Sequence, residues 1–166
     1  MLAAKSARAV LSAEHEKIRE LLSQLDEAAR AGGCASAIHA GALLRLVEQL
    51  QAFDEATHRP KGVMLMAALR GRSAEADDLL RRLATMRNHG DRLLSRARSK
   101  LRAAAKGDLG AAVGVDGLLA QHRTLTLAHL DAEDSLLHSQ STAHLTRDEW
   151  AAIASSISSA MASTRK

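Results

Sequence analysis

The chain has 166 residues, enough for one domain to bury a sizeable core without disulfides or a structural metal as staples. Hydrophobic residues make up 46 %, yet aromatics are 1 % and proline occurs once; the apolar content is nearly all Ala, Leu, Ile, Val and Met, which favours helices and argues against a sheet. The net charge of +4 comes from 23 Lys and Arg interspersed with 19 Asp and Glu, and with no Tyr, one Phe and one Trp there is little for bases to stack on, so nucleic acid is not expected as a partner.

Cys34 is the one cysteine and has no mate for an intrachain disulfide, which points to a reducing compartment. Glu14, His15, Glu16 and Lys17 interrupt the N-terminal region before an export signal's apolar stretch can form, and no stretch approaches the roughly 18 apolar residues of a membrane span. The expected location is the cytoplasm, away from membranes.

The first helix is predicted from about Ser12, or a turn or two earlier, to Arg30, closed by Gly32-Gly33. Its inward stripe reads His15, Ile18, Leu22, Leu25. A second helix starts near Ala35 to Ser36 and runs through Val47, Leu50 and Phe53 to His58; Pro60 then predicts a kink, with helix continuing from Lys61 to Leu69 and closing at Gly71. Ser73 caps a third helix whose stripe is Leu79, Leu83, Met86, His89, Leu93, Ala97, ending near Lys106. Four glycines between Gly107 and Gly117 predict a loop. The fourth helix then carries Leu118, His122, Leu125, His129, Glu133 and Leu136 on one face. Thr146-Arg147-Asp148-Glu149 is a capping box, with Leu145 and Trp150 as a hydrophobic staple, so a short last helix should run from Arg147 to about Ala162 and leave a polar tail. The expected fold is all-α: one domain, residues 1–166 with its core over about 11–157, an antiparallel up-down four-helix bundle with a short fifth C-terminal helix.

Histidine carries the chemistry. His15, His58, His89 and His129 fall on four different long helices, and antiparallel threading can bring all four to one level of the interior. A lone histidine on an apolar face is more often a core residue with an ordinary hydrogen-bond partner. Four of them, with Glu133 one turn after the last, are satisfied together by a metal; neutral imidazole with carboxylate suits iron, manganese, zinc or nickel rather than calcium.

The stretches Glu14-His15, His58-Arg-Pro-Lys-Gly62, His89 and His129-Leu-Asp-Ala-Glu133-Asp134 resemble the hemerythrin-like (HHE) cation-binding domains, whose pattern is Glu-His, His-x-x-x-Glu, a single His, and His-x-x-x-Glu. The contexts Leu65-Met-Ala-Ala-Leu69-Arg and Leu145-Thr-Arg-Asp-Glu-Trp150 are similar to a bacterial branch of that family, and the resemblance spans about residues 11 to 157. It implies a non-heme di-iron site, with His15 and His58 mainly on one iron, His89 and His129 mainly on the other, and two bridging carboxylates. The chain departs from the pattern at the second helix, where Gly62 stands in place of the bridging Glu and Val63 follows it.

Two divalent cations held about 3.5 to 4 Å apart need bridging anions. Four histidines and Glu133 therefore favour one metal, or an incomplete di-iron centre at partial occupancy. His122, two turns before His129, is a candidate supplementary ligand or orienting donor, and Asp54 a candidate acceptor for the second N–H of His58; Asp134 should face outward or sideways. The expected function is a carrier, sensor or store for dioxygen, nitric oxide or iron, rather than a dedicated enzyme. The alternative is a degenerate, metal-free helical bundle that acts as an interaction module with an unidentified protein partner.

Overall fold

The structure, a computed structural model, describes residues 2–163, without the side chains of residues 140, 142 and 160–163. The polar tail expected after the last helix lies outside the described residues. Every regular element among the described residues is helical: α1 (Leu2–Gly32), α2 (Ala37–Phe53), α3 (Arg59–Leu69), α4 (Ala74–Ala105), α5 (Val115–Ser135), α6 (Ser141–His144) and α7 (Arg147–Ser163). None of them is long and apolar enough to cross a membrane.

The chain divides into two compact units, one made of Met1–Lys17, Ala52–Ala84 and Leu130–Lys166, the other of Ile18–Gln51 and Thr85–His129. The first unit buries Ala4, Ala7, Leu11, Leu65, Leu69, Leu136, Leu137, Trp150, Ile153 and Ile157 in one cluster. The second buries Ile18, Leu22, Leu25, Leu43, Val47, Leu94, Ala97, Leu101 and Leu119.

Helix α1 begins ten residues before Ser12 because Ala4, Ala7 and Leu11 belong to the first unit's core. Alanines bury little area, so their periodicity is weak in the sequence. Arg8, on the same turn, lays its guanidinium 5.2 Å from the centre of the Trp150 ring of α7.

Pro60 acts as expected of a proline, but over a wider stretch. Asp54–His58 form a π-helical turn in which the Arg59 N–H donates to the Asp54 carbonyl, and α3 then starts with proline in its first turn. Proline cannot donate to the carbonyl one turn back, and the wider turn absorbs that missing bond without ending the helix. A second π-helical turn, Leu136–Gln140, follows α5. His58 and Glu133 thus each sit beside a register change.

Ser73 caps its helix as the sequence predicts, its Oγ accepting from the Ala76 N–H, and Ser36 Oγ, which the sequence places only near the helix start, accepts from the His39 N–H. At the start of α7, Glu149 Oε2 accepts from the Thr146 N–H at 2.8 Å while Thr146 Oγ1 accepts from the Glu149 N–H at 3.3 Å. The Thr146 backbone and hydroxyl, then Arg72, hold the Glu149 carboxyl below its ordinary 4.5. Stability from a lowered carboxyl is present above its unfolded value and lost as pH falls through the folded one. Glu149→Gln should therefore flatten part of the acid limb of the stability profile, which thermal melts across the acid range will show.

Candidate metal centre

Three stretches of the first unit build the site. On α1, Glu14 and His15 are both buried, at 8 % and 1 % exposure. The π-helical turn ends at His58, and the first turn of α3 adds Lys61 and Gly62, all buried. Near its C-terminal end α5 supplies Glu133, buried, and Asp134, half-buried.

The geometry is convergent. His15 Nε2 lies 3.1 Å and His58 Nε2 3.2 Å from the same Glu133 oxygen, Oε2. The two rings meet edge to face, with centroids 4.9 Å apart. Behind His15, Nδ1 bonds Asp134 Oδ1 at 2.6 Å. Behind His58, Nδ1 faces Glu14 Oε2 at 3.5 Å, and the other Glu14 oxygen accepts from the buried Lys61 ammonium, which also donates to the Thr57 carbonyl at 2.6 Å. Each imidazole thus has its Nε2 turned inward to a shared carboxylate and its Nδ1 backed by another. Metal-binding histidines are oriented in this way, because a carboxylate on one ring nitrogen fixes the tautomer and raises the basicity of the other.

The electrostatics favour a cation. Three carboxylates, Glu14, Glu133 and Asp134, face one ammonium and two imidazoles. Burial pushes the His58 ring down, but hydrogen bonds to Glu133 and Glu14, with the charges of Glu133 and Asp54, outweigh it, and its pKa is pushed up to about 9. Among the described residues, His15, His58 and Glu133 form a buried group whose ligand atoms all lie within 4.8 Å of one another. Two imidazole nitrogens and a carboxylate oxygen fit a transition metal. Beside them a cavity of ≈ 10 Å³, walled by Leu11, Leu65, Leu136 and Leu137, has room for about one water-sized molecule.

The family model of the hemerythrin HHE cation binding domain matches residues 6–140. The chain belongs to that family. No curated protein and no solved structure matches it.

Set against the ligand pattern of a hemerythrin domain, the structure brings His15, His58 and Glu133 together and places the other expected residues differently. His89 is exposed, which corrects the expectation that it points inward. The buried line of α4 runs through Ala76, Leu83, Gly90, Ala97 and Ala104, a seven-residue repeat one position away from His89. A Cβ on Gly90 would lie 3.8 Å from the His122 ring, an ordinary contact, so that ring faces the buried line of α4. His122 is buried and its Nε2 meets Thr126 Oγ1 at 3.3 Å, a packing position on α5. His129 is buried too, but its Nε2 faces Arg87 Nη2 at 3.3 Å.

Asp54 accepts from the Arg59 guanidinium at 3.1 and 2.7 Å, and the place expected for it, at His58 Nδ1, is held by Glu14. Asp134, expected to face away, bonds His15 instead. Gly62 does lie at the site: a Cβ there would meet Glu133 Oε1 at 3.8 Å, an ordinary contact.

Sequence reasoning missed Glu14, Lys61, Asp134 and Arg87. For Lys61 a signal existed. It shares the buried line His58, Lys61, Leu65, Leu69, so a lysine stands on an apolar stripe three residues after a histidine.

Proposed function

We propose that this hemerythrin domain holds a single divalent metal ion, iron by the family resemblance, on His15, His58 and Glu133 of an antiparallel four-helix bundle, and serves in the cytoplasm as a carrier, sensor or store for dioxygen, nitric oxide or iron. The observation that carries the reading is the convergence of two Nε2 atoms on one Glu133 oxygen, with a carboxylate behind each ring. Bound iron would supply a redox-active centre with coordination positions left open.

The chain's own residues supply the rest. Glu133 offsets charge, Asp134 and Glu14 aim the rings, and Lys61 holds Glu14 in place. The leucine walls exclude bulk water and leave space for only a small visitor. Gly62 contributes no carboxylate, so one anion faces the metal directly and one metal is the expected load. Protein purified from iron-supplemented cells should carry one metal ion per chain by mass spectrometry, with charge-transfer absorption in the near ultraviolet.

One observation favours a metal-free interaction module instead. The cluster is already paired from within, Lys61 with Glu14 and His58 with Glu133. Protein that carries no metal, and whose melting is unmoved by iron or chelator, would decide for that reading.

A further inference from the structure

We propose that Met66 is the door to the cavity beside His15, His58 and Glu133, a flexible piece of wall that swings outward to admit one small neutral molecule. The inference rests on the metal reading above and names the way a visitor reaches that site.

All the residues concerned belong to the first unit. Of the nine described residues that line the cavity, eight are buried and Met66 alone is half-buried. It is therefore the part of the wall that touches both the cavity and solvent. Its inner end lies close to the ligands: Met66 Cε and Glu133 Oε1 each stand 3.8 Å from the point where a Cβ on Gly62 would be. Side chains on a helix lean toward its N-terminus, so Met66 runs back over the preceding turn, where Gly62, one turn earlier, puts no side chain in the path of the methyl group.

The chemistry of the wall decides which part yields. Leu11, Leu65, Leu136 and Leu137 are buried, so moving any of them forces close-packed neighbours apart. Methionine is unbranched and flexible along its whole length, and the exposed flank of Met66 opens on solvent. Opening there is a change of rotamer. What passes is small, because the cavity has room for about one water-sized molecule, and uncharged, because an ion would shed its hydration against leucine.

The unaltered, metal-free protein gives the first test. With isotope-labelled Leu and Met methyl groups, dissolved dioxygen under pressure should enhance relaxation at Met66 and the four cavity leucines several-fold more than at Leu69, which is buried in the same cluster outside the cavity. Equal enhancement at Leu69 overturns the proposal. The second test times the door. In metal-free Leu11→Cys/Cys34→Ser protein, neutral methyl methanethiosulfonate should label the cavity thiol several-fold faster when Met66→Ala is added. Labelling should be several-fold slower with Met66→Ile, whose branch stiffens the side chain, and unchanged with Met64→Ala. Rates that ignore Met66, or that follow denaturant stability across the variants instead, overturn it. Leu137→Cys carries the thiol if the Leu11 variant does not fold. Both measurements are made without metal, so a metal count of zero fails the metal reading alone, and a door that does not respond leaves that count untouched.

Discussion

Lys61→Met should lower folding stability by about 3–5 kcal/mol, the range found when one partner is removed from a buried ion pair. The Lys61 side chain is 2 % exposed, and its ammonium is held by Glu14 and the Thr57 carbonyl. Methionine keeps most of the apolar stem, so the loss would come from the charge left behind on Glu14 rather than from a cavity. Denaturant unfolding of Lys61→Met beside Lys61→Met/Glu14→Gln separates the two causes. Removing both charges should recover much of the stability, because the uncompensated carboxylate is gone. A single variant within about 0.5 kcal/mol of the parent, the usual span of surface substitutions, would show that the pair is not coupled in this way.

Glu133→Gln should weaken metal binding by about 100-fold or more. Loss of a residue that merely orients a ligand typically costs about 10–100-fold, and Glu133 contacts both inward imidazole nitrogens through one oxygen. The amide is nearly isosteric but carries no charge to offset a divalent cation. Asp134→Asn, which alters only the group behind His15, should fall within that 10–100-fold range. Competition titrations with a zinc chelator measure both, and equal effects from the two variants would place Glu133 outside the ligand set.

His15, His58 and Glu133 were legible in the sequence because each lies on a strong apolar stripe, and a polar residue in such a stripe stands out against its leucines. Glu14 and Asp134 were not. Each is the immediate neighbour of a stripe residue, about 100° around the helix, and periodicity alone assigns such a position to the flank. Whether a flank faces water or another helix depends on what the chain packs there. For Glu14 the neighbour is Lys61, contributed by a segment 47 residues away.

By itself the sequence determined the helical class, the caps at Ser73 and Thr146, the disturbance around Pro60 and the family pattern. These follow from interactions within a turn or two of chain, or from the spacing of residue types. The tertiary structure decided which side chain of α4 meets His129. Gly90 carries no apolar signal, yet it lies on the buried line, facing the His122 ring at ordinary contact distance. That choice turns His89 to solvent and Arg87 to His129, and it depends on a partner helix 32 residues further along the chain, which local pattern cannot register.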